Sequence, residues 1–154
     1  MNYLNKSESA QRRAERDRQL AELFCEIYDN LKKKRVSKPQ MVALTLALET
    51  GSPRYHVSFD RAYVVVPQLL HDASKINIKS STCQSMWLEI TKKVKCLMEN
   101  GKMSAARAIP IVLEKCRASR FFISKSQAMK IIRRQLALMN CLRHYEQQHN
   151  GHLF

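Results

Sequence analysis

Glycine occurs three times and proline four times in 154 residues, too few to punctuate a chain of short strands and tight turns. Beside abundant Leu, Ala, Lys, Arg and Met, that scarcity predicts an all-α protein. Acidic residues are the second shortage, with 13 Asp plus Glu against 27 Lys plus Arg. Asp60, Asp72, Glu89 and Glu114 form no recognisable ligand spacing, so a two-metal nuclease has little to build on. The five cysteines (Cys25, Cys83, Cys96, Cys116, Cys141) are odd in number and contain neither a C-x-x-C pair nor a zinc spacing. This argues against a disulfide scaffold or a structural metal, and Cys25, Cys96, Cys116 and Cys141 read as small core residues in apolar helical patterns. His144, His149 and His152 are poor metal ligands, because a step of five leaves the first two off one helical face.

Catalytic signatures are missing as well. The chain has no phosphate-cradling glycine loop, no H-E-x-x-H and no Gly-x-Ser-x-Gly, so no enzyme, catalytic residue or cofactor is expected. No apolar run approaches the ~18 residues of a membrane span, and Met1 to Lys6 lack an apolar signal region. A cytoplasmic protein without membrane contact is the expectation.

What the chain does have is positive charge, a formal net +14, with 45% hydrophobic residues to fold around. Such a surplus repels itself and is tolerated most easily beside a polyanion, so nucleic acid comes first among partners and an anionic membrane surface second.

It also has a repeated string. Arg54-Tyr55-His56-Val57-Ser58 returns 66 positions later as Arg120-Phe121-Phe122-Ile123-Ser124, and both copies reach Ala (Ala62, Ala128) four residues after the Ser. Upstream, at an offset of 67, Leu20, Leu23, Ile27 and Leu31 align with Trp87, Ile90, Val94 and Met98, Ser37 with Ser104, and Leu46 with Leu113. The reading is two tandem three-helix units: a basic helical arm (1–19), a first unit (20–70), a connection (71–86), a second unit with an extended last helix (87–148), and a tail (149–154).

Apolar steps of three and four place the helices. The first starts behind a Ser7 or Ser9 cap and ends at Lys32-Lys33-Lys34-Arg35. The second is capped by Ser37 and buries Met41, Val42, Leu44, Leu46 and Leu48. After an extended Arg54 to Val57, Ser58 caps a third helix with Ala62, Val65, Val66 and Leu69 inward, and Pro67 ends or kinks it. In the connection, Ile76 and Ile78 are candidates to pack. The second unit repeats this plan: a helix from Thr82 to Glu99, a Ser104 cap, a helix to about Ala118, and an extended Ser119 to Ile123. Ser124 then caps a long last helix running to about Gln148, with Asn150-Gly151 as the stop. The repeated Arg54 and Arg120 read as structural, bonding helix-end carbonyls or pairing with Glu22 and Glu89. Tyr55 and Phe121 read as core.

Charge separates the copies. Residues 20–70 carry seven basic against five acidic residues, and residues 87–136 carry twelve against three. On the last helix Ala128, Ile131, Ile132 and Leu136 point inward, leaving Lys125, Gln127, Lys130, Arg133 and Arg134 outward as candidate nucleic-acid-binding residues. The corresponding outward surface of the first unit offers Phe59, Tyr63 and Val64 to a protein partner or a second copy. Three helices with a basic last one resemble the helix-turn-helix class in plan, although about seven residues, not three or four, separate the second and third. The functional expectation is a small nucleic-acid-binding protein, DNA first, in a regulatory or accessory role. The alternative is a protein–protein interaction module or oligomerising adaptor.

Overall fold

The computed structural model describes residues 3–75 and 77–150. Ile76 and Gly151, for which packing and a helix stop are expected, lie outside the described residues, as do His152 and the side chain of His149.

The fold is all-helical: α1 (Tyr3–Lys33), α2 (Pro39–Glu49), α3 (Phe59–His71), α4 (Ser81–Asn100), α5 (Ala105–Lys115) and α6 (Lys125–Asn150), with a short 3-10 turn at Ala73–Lys75. Capping fixes several of the boundaries. The Ser58 hydroxyl accepts from the Arg61 N–H at 3.2 Å, and the Ser124 hydroxyl accepts from the Gln127 N–H at 3.2 Å, as the repeated string implies. Ser80, one residue before α4, does the same for Cys83 at 3.3 Å. Two helix starts differ from the sequence reading. Helix α1 begins at Tyr3, which places Ser7 and Ser9 inside it. Helix α2 is entered through Lys38 at φ 50° with no side-chain cap, so Ser37 is not its cap. Pro39 stands at the first helical position, where its missing N–H costs nothing.

Pro67 does not end α3, which continues to His71. A proline inside a helix deprives the carbonyl four residues earlier of its donor, here that of Tyr63, on an exposed turn where water can serve. Pro110 does the same inside α5, orphaning the Ala106 carbonyl. The Tyr63 hydroxyl donates to that carbonyl at 3.2 Å, so one proline's deficit is met from the neighbouring helix.

Helix α2 corrects a second expectation. Its buried positions are Ala43, Leu44, Ala47 and Leu48, while Met41 and Leu46 are 57% and 42% exposed. Leu44, Leu46 and Leu48 alternate, and a 3.6-residue period cannot bury all three on one side. The buried set of α5, Ala108, Ile109, Val112 and Leu113, matches that of α2 at an offset of 65, so Leu113 is the counterpart of Leu48 and not of Leu46. Cys96 and Cys141 are exposed and are not core residues; all five cysteines are free.

The helices group in space differently from their order along the chain. One apolar cluster joins Leu20 and Phe24 of α1, Leu44 and Leu48 of α2, and Ile131 and Ile132 of α6. The other joins Val66 of α3, Trp87 and Ile90 of α4, and Ile109 and Val112 of α5. The third helix of each repeated stretch thus packs on the first two helices of the other. Inside the second cluster the buried Thr91 hydroxyl has no partner among the described residues. Thr91→Val, which replaces an unmet hydroxyl by a methyl of similar size, should raise stability by about 1 kcal/mol, read as a melting temperature higher by about 2–4 °C.

Candidate nucleic-acid interface

The exchange of third helices requires the two extended segments to cross, and the repeated string is the crossing. Ser52 and Ala118, 66 positions apart like the two strings, form an antiparallel bridge with N–H to carbonyl distances of 3.1 and 3.0 Å. Gly51 precedes it at φ 107°, and a Cβ there would stand 3.2 Å from the Ala118 carbonyl oxygen, so the approach needs glycine. Beyond the bridge the aromatic pairs are reciprocal: Tyr55 stacks on Phe122 at 6.4 Å and His56 on Phe121 at 6.2 Å. Tyr55 and Phe121 are each at most 2% exposed, and each enters a different apolar cluster.

Polar groups secure the crossing, through partners other than those read from sequence. Arg54 pairs with Glu15 of α1, not with Glu22. Glu89 accepts from the Tyr55 hydroxyl at 2.6 Å and from the Ser119 N–H at 3.2 Å, not from Arg120. Burial acts to raise the Glu89 pKa, but these hydrogen bonds, with Lys93 nearby, leave the carboxyl below its ordinary value. Tyr55 is pushed well above the usual phenol range by burial and by the Glu89 carboxylate.

His56 makes the crossing sensitive to pH. Burial lowers its pKa to about 4; Glu15 opposes that shift, while Arg16, Arg54 and Arg12 add to it. The unfolded chain takes up a proton near pH 6.5 that the folded chain refuses until about 4, so stability must fall as pH drops through that window. Allowing for partial solvent screening, the loss should be about 1–2 kcal/mol between pH 7 and pH 5, measured by urea unfolding. His56→Gln should flatten it. Glu15 and Glu89, both held below the ordinary 4.5, weaken the fold only in more acid solution.

Helix α6 leaves this crossing carrying the candidate basic residues. Lys125, Gln127, Lys130, Arg133 and Arg134 are all exposed, opposite the buried Ala128, Ile131 and Ile132. At 3.6 residues per turn, Lys130, Arg133 and Arg134 share an arc about 100° wide, with Gln127 at its edge. Lys125 stands roughly 80° outside that arc and is the residue the helix does not bring into the group. None of the ion pairs among the described residues involves these four cations, whereas Arg12, Arg16, Arg18 and Arg54 all have carboxylate partners. Past Ala137 every residue through Gln148 is exposed, so the helix projects beyond its cluster. Arg143 lies on that projecting part.

The proposed partner surface of α3 is less uniform. Val64 is 52% exposed, and Tyr63 is exposed but engaged with Ala106. Phe59 is partly buried against the α3–α5 cluster, with the Arg12 guanidinium 4.9 Å from its ring centroid. Among the described residues no group of three or more His, Cys, Asp or Glu is placed to hold a metal ion, and no helix is long and apolar enough to cross a membrane.

Compared with protein families, curated proteins and solved structures, the chain matches none.

Proposed function

We propose that this protein binds nucleic acid, duplex DNA first, through the exposed face of α6, in a regulatory or accessory capacity rather than as an enzyme. The observation that carries the reading is the group Lys130, Arg133 and Arg134, exposed on one arc and outside every ion pair among the described residues. Cations already committed to carboxylates gain little from phosphate, while these need displace only water and counterions. Arg134 and Gln127, seven residues apart, lie along one edge of the arc and carry the side-chain types that read base edges. The test is duplex affinity measured against salt for the parent chain and for Arg133→Ala with Arg134→Ala. Weaker binding with a shallower salt dependence supports the reading, and identical behaviour of the two proteins overturns it.

A second reading, an interaction module working through α3, is favoured by the exposure of Val64. Self-association through that surface would appear in sedimentation equilibrium and vanish in Val64→Asp. The bond from Tyr63 to Ala106 and the cover of Phe59 by Arg12 weigh against it, since both side chains already have a use within the fold.

A further inference from the structure

The crossing of the two extended segments also makes a cavity, distinct from the α6 surface. It holds about 320 Å³ and opens between the N-terminal half of α1 and the two repeated strings. Five arginines are among its lining residues, Arg12, Arg13, Arg16, Arg54 and Arg120, and no Asp or Glu is. Three of the five are held by carboxylates outside the lining: Arg12 by Glu8, Arg16 by Asp17 and Arg54 by Glu15. Those carboxylates already neutralise part of the charge of these three arginines. Arg13 and Arg120 are exposed and take part in none of the ion pairs among the described residues. The accessible apolar part of the lining comes from the partly buried Met86 and Phe122, backed by the buried rings of Tyr55 and Phe121.

We infer that this cavity binds a nucleotide unit, its phosphate held by Arg13 and Arg120 and its ring against the apolar wall. A phosphate alone would be small for the space, and an apolar molecule alone would leave the unpaired charges of Arg13 and Arg120 unused at its edge. A phosphate ester with a planar body satisfies both parts of the lining. The planar forks of Arg13 and Arg120 suit phosphate oxygens in bidentate fashion. Arg120 already lies over the Phe122 ring, 5.8 Å from its centroid, which puts a cation and an aromatic face side by side at the cavity. A volume of 320 Å³ falls at the lower end of small-ligand sites. The inference does not depend on α6, none of whose residues lines the cavity.

The test is calorimetric titration of the full chain with inorganic phosphate, with AMP and with a thymidine hexanucleotide. AMP should saturate a site and bind at least about tenfold more tightly than phosphate. Arg13→Ala with Arg120→Ala should weaken AMP by about tenfold or more, while Arg133→Ala with Arg134→Ala leaves it unchanged. Arg13→Lys with Arg120→Lys keeps the charge and should still weaken binding, because the fork is lost, which separates recognition from any damage to the fold. If the hexanucleotide displaces AMP, the unit is taken from a single strand; if AMP binds and the hexanucleotide does not compete, it is taken as the free nucleotide. Both results support the site. It is overturned if neither ligand saturates at concentrations on the order of millimolar, if phosphate binds as tightly as AMP, or if AMP binding ignores the Arg13 and Arg120 replacements.

Discussion

Phe121→Ala should remove about 3–5 kcal/mol of stability, a large share of the total for a domain of this size. Phe121 is 2% exposed, sits in the cluster shared by α1, α2 and α6, and stacks on His56 of the other segment. Truncation therefore opens a cavity at the place where the two halves interlock, and the surrounding backbone has little freedom to collapse into it. The Phe121 N–H donates to the Leu48 carbonyl at 3.0 Å, and the Ser52–Ala118 bridge holds the segment from the other side. In a urea titration the midpoint should shift strongly to lower concentration with little change of slope, and the melting temperature should drop by about 10 °C. Phe122, only partly buried, supplies the comparison, and its replacement by Ala should cost about 1–2 kcal/mol. A loss below about 1 kcal/mol for Phe121→Ala would mean that the crossing does not hold the two clusters together.

Much of this local structure can be read from the residues, because it is decided within a few positions of each. Ser58 and Ser124 cap because a short hydroxyl stands before a helix-forming run, and Ala62, Val65, Val66 and Leu69 turn inward because their spacing leaves no other common face. Where spacing is ambiguous the reading slips, as at α2, where an alternating Leu row hides the true inward set of two Ala and two Leu. Partners are harder still. Periodicity says which side of α3 or α6 is apolar, but not which apolar side it meets, so the exchange of third helices is invisible along the chain. Its one trace is the repeated string, whose conspicuous aromatics are those that stack across the crossing. The cavity arginines are similarly scattered, from Arg12 to Arg120, and the pairing of Glu15 on α1 with Arg54 joins positions 39 apart that no local pattern links.

That long α1 also bears on which cations remain for a ligand. Along α1, Glu8, Asp17 and Glu22 pair with Arg12, Arg16 and Arg18, which reduces the attraction of the N-terminal arm for phosphate. Helix α6 has one acidic residue in its length, Glu146, on the projecting part. On α6 the exposed Lys130, Arg133 and Arg134 share one arc outside those ion pairs, whereas on α1 the exposed Arg13 stands among arginines that carboxylates already hold.

The largest functional effect should follow from removing that charge. A protein cation that neutralises a duplex phosphate releases counterions, so the logarithm of affinity falls with the logarithm of salt by about 0.9 per contact. If Arg133 and Arg134 each contact phosphate, the double Ala variant should show a slope shallower by about 1.8. At 0.1 M salt the same arithmetic weakens binding by about 60-fold, a difference that vanishes toward 1 M. Adding Lys130→Ala should lower the slope by a further ~0.9. Lys125→Ala should do less, because Lys125 stands off the arc. Gln127→Ala provides the contrast, since an uncharged residue at the edge of that arc contributes nothing to counterion release. If Gln127 meets a base edge, its loss changes the ranking of duplex sequences at fixed salt and leaves the slope alone. A ranking that stays flat for parent and variant alike would make the surface a grip on the backbone without sequence readout. A slope that stays unchanged in the double Arg variant would remove α6 from the interface.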